Sequence, residues 1–168
     1  KAFHYFGVES RRADVGADWR ADVAAMQQLI DDNTILLVAS APQYPQGVID
    51  DVSGIAALAL QYGINCHVDA CMGGVTLAYL EKLGLPIPAW NLRVPGVTSI
   101  SVDLHKYGYT SKGASVVMYR NKLLRAHQGF FTDNWLGGMY ASSGMLGTKS
   151  GGSIASAWSV LRHLGDDG

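Results

Sequence analysis

Two short segments hold the residues whose types and spacing could do chemistry. One is His67-Val-Asp-Ala-Cys71. The other is Asp103-Leu-His-Lys-Tyr-Gly-Tyr109, with Lys112 just beyond it. A lysine held at the end of a buried strand is partly desolvated. Desolvation disfavours its charged form, lowers its pKa and makes the amine a usable nucleophile. Each residue also has a plainer reading. Lys106 taken alone is an ordinary loop lysine, because lysines are mostly exposed. Asp69 can cap the turn that follows it, and His67 can be a satisfied core histidine. A third reading is a metal site. His67 and Asp69 stand at i, i+2, Asp103 and His105 repeat that spacing, and two histidines with two carboxylates could hold a divalent ion for hydrolysis.

The elements that must position these residues are legible in the pattern. Thr34 to Ser40, Ile64 to Asp69 and Val97 to Asp103 read as three apolar strands. A helix from about Trp19 to Asp31, capped by Asp18, has Trp19, Val23, Met26 and Ile30 on one face. A second, from about Asp50 to Tyr62, turns Val52, Ile55, Ala56 and Ala59 inward and stops at Gly63. A third opens at Gly73-Gly74 and lasts to about Leu83. Strands that are apolar throughout, alternating with helices, argue for an α/β fold with a mostly parallel sheet between helical layers. The link from Asp103 to Ala114 is too short for a parallel crossover, so Ala114 to Tyr119 is expected to run antiparallel. Phe3 to Val8 reads as loop or weak strand, and Arg120 to Gln128 as helix. Gly129 to Gly152 is long, irregular and Gly/Ser-rich, with Phe130, Phe131, Trp135, Met139 and Tyr140 set into it, as a functional or interface segment would be. Ile154, Ala157, Trp158 and Leu161 mark a last helix, capped by Ser150 or Ser153.

Composition narrows the function. A chain of 168 residues, 48% hydrophobic and 16% charged, can bury one real core. A net charge of −1 offers no basic field for nucleic acid. No apolar run approaches membrane-span length. Cys66 and Cys71 are too close in sequence for a disulfide framework and fit a reducing, cytoplasmic setting. The chain begins at Lys1 without methionine and ends at Gly168 just after a helix, which is what a piece of a longer polypeptide would show.

In open α/β sheets ligands sit outside the carboxyl ends of the parallel strands. Here those ends are Ser40, Asp69 and Asp103. An amine and a carboxylate on adjacent strand ends suit pyridoxal 5'-phosphate. That cofactor needs a lysine to form an imine and an acid partner to keep its ring nitrogen protonated, so that the ring serves as an electron sink. Lys106 is the candidate imine lysine and Asp69 the candidate partner. Ala70, Cys71, Gly73 and Gly74 are small enough to let a flat ring lie against the backbone. Cys66 alternates with His67 and points the other way.

The sequence resembles the sphingosine-1-phosphate lyase family, within the fold-type-I pyridoxal-phosphate enzymes and close to the group II amino-acid decarboxylases. The resemblance rests on Ser40-Ala-Pro-Gln-Tyr-Pro-Gln-Gly-Val-Ile-Asp-Asp51, His67-Val-Asp-Ala-Cys-Met-Gly-Gly74 and Arg93-Val-Pro-Gly-Val-Thr-Ser-Ile-Ser101. It continues through Asp103-Leu-His-Lys-Tyr-Gly-Tyr109 with Lys112-Gly113, and Trp135-Leu-Gly-Gly-Met-Tyr-Ala-Ser142. Group II decarboxylases usually carry tryptophan after the lysine; Tyr107 stands here.

The resemblance implies that Lys106 carries the cofactor, Asp69 pairs with its ring nitrogen, and Ala70 and Cys71 lie against one ring face. His67 and His105 would line the site, His105 towards the phosphate, with Ser40 at a neighbouring strand end. Lys112 matches a lysine near a substrate or cofactor phosphate. Gly147-Thr-Lys-Ser-Gly-Gly152 matches a stretch that reaches the partner subunit's site in a homodimer, with Lys149-Ser150 in place of an Arg-Pro pair. The implied activity is retro-aldol cleavage of a phosphorylated sphingoid base to a long-chain aldehyde and phosphoethanolamine. Amino-acid decarboxylation on the same scaffold is the alternative. The resemblance also implies that residues 1–168 are the central part of the cofactor-binding large domain. The phosphate-binding loop, a ring-stacking histidine and, in eukaryotic members, a membrane anchor would precede Lys1. A small domain would follow Gly168, and the piece alone would be inactive.

Overall fold

The computed structural model describes residues 1–167. In chain order its elements are α1 (Ala2–Tyr5), α2 (Val23–Gln28), β1 (Leu36–Ser40), α3 (Val52–Tyr62), β2 (Asn65–Asp69) and α4 (Gly73–Lys82). They continue with β3 (Ser99–Asp103), β4 (Ser115–Tyr119), α5 (Lys122–Ala126), β5 (Phe130–Thr132), β6 (Tyr140–Ser142) and α6 (Gly151–Leu164). Strands β1 to β4 form one sheet in that spatial order. The first three are parallel, and β4 runs antiparallel to β3, as the short link before it requires.

Register sorts the strand residues into two faces, because neighbours across a ladder point the same way and successive residues alternate. Leu37 pairs with Cys66, Ala39 with Val68, and Val68 with Ile100. These residues and Val102 form one face and are buried with Val52, Ile55, Ala56 and Ala59 of α3 and Leu77 of α4. The other face carries Val38, Ser40, His67, Asp69, Ser99, Ser101 and Asp103. It is half-open, with Val38 39% exposed. The sheet thus has an apolar face that anchors it and a polar face that ends in the candidate site.

Local chemistry sets the element ends. The Asp51 carboxylate accepts from the Gly54 amide at 2.9 Å and starts α3, and Gly63 ends it with φ +66°. Asp50 is buried and accepts from the amides of Ser40 at 2.7 Å and Ala21 at 2.9 Å, clamping the loop before α2 onto the end of β1. Arg120, at the end of β4, donates to the carbonyls of Val97 at 2.5 Å, Val94 at 2.6 Å and Leu92 at 2.8 Å. It ties β4 to the turn before β3.

Several boundaries differ from expectation. The helix expected from Trp19 begins at Val23, capped by Asp22, because Asp18 is held by the Arg20 guanidinium at 2.8 Å and a bridge from Val15 to Ala21 keeps the segment extended. The helix expected over 120–128 spans only Lys122–Ala126. The segment expected as loop or weak strand near Phe3 is the short α1. The irregular stretch 129–152 contains an antiparallel hairpin, β5 with β6. Ser150, rather than Ser153, caps α6. Among the described residues no helix is long and apolar enough to cross a membrane.

Candidate active site

The parallel pairing of β1, β2 and β3 sets Ser40 beside Asp69, and Asp69 beside Ser101. The chain leaves β2 through Ala70 and Cys71 into α4, and leaves β3 through the turn that holds Lys106. The two turns meet. Lys106 Nζ lies 2.9 Å from Asp103 Oδ2 and its ammonium also approaches the side chain of Cys71. The Cys71 amide donates to Asp69 Oδ1 at 3.0 Å. A continuous path therefore joins the two key residues of the sequence reading: Asp69, Cys71, Lys106.

Tight backbone contacts hold both turns. A Cβ on Gly73 would strike the Ala41 carbonyl and Pro42, and one on Gly74 would strike Val102, so both glycines let α4 start hard against the sheet. The Lys106 turn closes with Tyr109 at φ +55°, a left-handed conformation rare for an aromatic residue, three residues after the lysine. The His105 ring pins the turn from the other side: its Nδ1–H donates to the Ala114 carbonyl at 2.8 Å. This leaves Nε2 3.9 Å from Asp103 Oδ2.

The electrostatics reverse one expectation. Lys106 was expected to be desolvated and to have a lowered pKa. Its contacts with Cys71 and with Asp103 hold it above the ordinary lysine value and outweigh its partial burial. Burial pushes the Asp103 carboxyl up. The Ser115 hydroxyl, at 2.5 Å, and Lys106 more than offset this and hold it below the ordinary range. Burial raises the Cys71 thiol, against the pull of Lys106. Cys66 lies on the opposite, apolar face, where burial pushes its thiol up to about 11. Burial lowers the His67 imidazole, with Asp69 opposing.

Not every predicted site residue joins the cluster. Ala70 is fully buried, with its amide on the Ser101 carbonyl at 3.0 Å, and Cys71 beside it is half-buried. Ser40 sits at its strand end on the polar face and uses its amide on Asp50. Lys112 and Lys149 are exposed and make no hydrogen bond or ion pair to the cluster. Ser99 and Ser101 carry contacts the sequence reading gave no role. His67 Nδ1 lies 2.8 Å from Ser99 Oγ and Nε2 lies 3.1 Å from Ser101 Oγ. The signal was present: period-two alternation in Ser99-Ile-Ser-Val-Asp103 places both serines on the face of Asp103. Ser115 was likewise not singled out.

The metal reading loses its geometry. With both ring nitrogens of His67 on hydroxyls, no three His, Cys, Asp or Glu side chains converge as ligands among the described residues. The donor set fits pyridoxal phosphate instead. A primary amine and a carboxylate meet the same residue, Cys71, and the Oδ1 of that carboxylate is committed to the Cys71 amide and Ser101.

Residues 1–168 match the model of the pyridoxal-dependent decarboxylase conserved domain. The chain belongs to the pyridoxal-dependent decarboxylase family. Within it, the chain is 48% identical over 169 aligned residues to sphingosine-1-phosphate lyase 1 of Rattus norvegicus, covering all of this chain and 30% of the rat protein. It is 33% identical to a probable L-aspartate decarboxylase of Pyrococcus furiosus, again over its whole length and 45% of that protein. The solved sphingosine-1-phosphate lyase of Burkholderia pseudomallei superposes with a TM-score of 0.93 at 44% identity, over 98% of this chain and 38% of that one. The chain thus spans about a third of the length of these lyases, and the mixed sheet with its antiparallel β4 is the fold they share.

Proposed function

We propose that these residues are the central part of the cofactor-binding large domain of a pyridoxal-phosphate-dependent carbon–carbon lyase acting on a phosphorylated sphingoid base. The observation that carries the cofactor assignment is the meeting of Lys106 with Cys71 and, through it, Asp69. When bound, pyridoxal phosphate supplies an electron sink conjugated to the substrate amine. Lys106 would hold it covalently, Asp69 Oδ2 would keep a proton on its ring nitrogen, and Cys71 would lie under the ring. His105 would line the phosphate side.

Each side chain has a definable task. Lys106 must give up a proton before its amine can attack, and Asp103 and Cys71 are the neighbours that hold that proton in place. Asp69 favours charge at the ring nitrogen because an opposite charge at contact distance stabilises the cation. Lys112 and, from a partner subunit, Lys149 would supply positive charge to phosphate groups. In the substrate, the bond between the amine-bearing carbon and its hydroxyl-bearing neighbour breaks. The hydroxyl loses its proton and becomes an aldehyde, and the amine-bearing carbon gains a proton to leave as phosphoethanolamine. The identities with sphingosine-1-phosphate lyases, higher than with the aspartate decarboxylase, support the lyase over the decarboxylase. The working unit would be a cytoplasmic homodimer, in which the exposed apolar segment from Phe130 to Leu161 is covered.

The test uses the complete protein that carries this chain. Added pyridoxal phosphate should give an absorbance band that borohydride fixes onto Lys106 and that Lys106→Ala lacks. A phosphorylated sphingoid base should yield long-chain aldehyde. Carbon dioxide from an amino acid, with no aldehyde, would replace the lyase reading with decarboxylation. No band in folded protein would remove the cofactor.

A further inference from the structure

The polar face of the sheet carries an ordered set of contacts that the reading above does not use. His67, on β2, is bracketed by two serines of β3 that stand two residues apart. Ser99 Oγ lies 2.8 Å from Nδ1, and Ser101 Oγ lies 3.1 Å from Nε2. Ser101 Oγ in turn donates to Asp69 Oδ1 at 3.4 Å. The same oxygen accepts the Cys71 amide at 3.0 Å.

Proton counting gives this chain a direction. A hydroxyl has one proton to donate. The Ser101 proton goes to the Asp69 carboxylate, so Ser101 must accept from His67, and Nε2 carries the N–H. Nδ1 is then the bare nitrogen and accepts the Ser99 hydroxyl. Every polar atom of the imidazole is thereby used, which a half-buried ring between two strands needs. The neutral ring suits its surroundings, since burial disfavours the imidazolium. Oδ1 of Asp69 ends with two donors, the Cys71 amide and the Ser101 hydroxyl, and the Cys71 side chain also meets this carboxylate.

We propose that Ser99, His67 and Ser101 form a positioning relay that commits Asp69 Oδ1 to the protein and so turns Oδ2 to the ring nitrogen of the cofactor. The inference rests on the pyridoxal-phosphate reading of this site. None of the three residues need touch the cofactor. They act by fixing the torsion of the carboxylate that does, as supporting contacts do at metal and catalytic sites.

The relay makes a prediction that general loosening of the strands does not. Its effect must depend on the ring nitrogen. The probes are pyridoxal phosphate and its 1-deaza analogue, in which carbon replaces that nitrogen, titrated into the complete apoprotein. Ser101→Ala should weaken pyridoxal phosphate about tenfold, the scale of one hydrogen bond to a charged group. It should leave the deaza analogue within about twofold, and Ser101→Thr, which keeps a hydroxyl on the strand, should restore the difference. Equal weakening of both ligands, or of neither, would overturn the relay. Wild-type protein that binds neither compound would overturn the cofactor reading and the relay with it.

A second measurement needs no folded variant. In the wild type, nitrogen chemical shifts of His67 at neutral pH should report a protonated Nε2 and a bare Nδ1. The opposite tautomer would reverse the chain and leave Ser101 without a proton for Asp69.

Discussion

The two ends of this chain use apolar residues in opposite ways. From Leu37 to Val102 they form one contiguous buried cluster beneath the sheet. From Ser115 onward Ala157 is the one buried apolar residue among those described, while Phe131, Leu136, Met145 and Trp158 are largely exposed. The first region carries its own core and with it the rigid strand ends that bring Lys106 to Cys71 and Asp69. The second is a hairpin and a helix whose apolar side chains face outward, which is how a surface made for contact is built. Precision of the candidate site is a property of the first region, and the second presents an exposed apolar surface.

The largest effect should come from the site itself. Lys106→Ala in the complete protein should lower turnover by at least about 10³-fold, within the range lost with a key catalytic group. The fold should be retained, because the Lys106 side chain makes its contacts at the polar end of the sheet and not in the core. A circular dichroism spectrum and melting curve close to wild type, with cofactor attachment abolished, is the expected pair of results. Loss of folding together with activity would make Lys106 structural and erase the division between regions.

Packing variants sharpen the comparison. Ile55 is fully buried between α3 and the sheet. Ile55→Ala removes three carbons from a filled core and should cost about 2–5 kcal/mol. Leu136 is fully exposed in the hairpin region. Leu136→Asp should change the stability of the subunit by no more than about 0.5 kcal/mol. It should instead weaken self-association, read by sedimentation. A Leu136 variant that unfolds the subunit as Ile55→Ala does would show that the second region shares the first region's core. Gly96 lies between them in size of effect. Its φ is +92°, and a Cβ would strike the Ala56 carbonyl on α3. Gly96→Ala should lose about 1–2 kcal/mol from the left-handed backbone alone.

The same division governs what could be read in the sequence. The sheet region was legible because parallel strands buried on one face are apolar and alternate with capped helices. Asp51 and Gly63 bracket α3 as their types dictate. Lys106 and Asp69 were legible as an amine and a carboxylate at the ends of neighbouring strands, and the sheet places them there. Their electrostatics were not, because the ammonium is held by Cys71 and Asp103, and that contact depends on how two turns meet. The burial of Ala70 beside the half-buried Asp69 follows from the alternation of the strand end. The start of α2 was misplaced because Arg20 recruits Asp18, a contact with no helical periodicity. The hairpin in 129–152 was missed because its strands are three residues long and exposed, so no burial pattern marks them.

The smallest predicted effect tests the polar face of the first region through pH. Burial lowers the His67 pKa in the folded protein, and Asp69 opposes this only in part. An unfolded histidine titrates near about 6.5. Below that value the unfolded chain takes up a proton at His67 that the folded chain resists. Stability from this residue is therefore complete above about pH 6.5 and is lost as pH falls through the lower, folded value. Asp103, also lowered, contributes in the same direction but only near and below about pH 4, where carboxylates titrate. The two windows are separable. Melting temperatures of the complete apoprotein should fall between about pH 7 and 5 faster for wild type than for His67→Gln, which has no proton to gain. Gln keeps an N–H where Nε2 stood, so Ser101 and Asp69 should stay engaged while the pH term disappears. Parallel curves for the two proteins would mean that His67 takes up its proton as readily in the fold as in the unfolded chain, and the ring held neutral between Ser99 and Ser101 would be wrong.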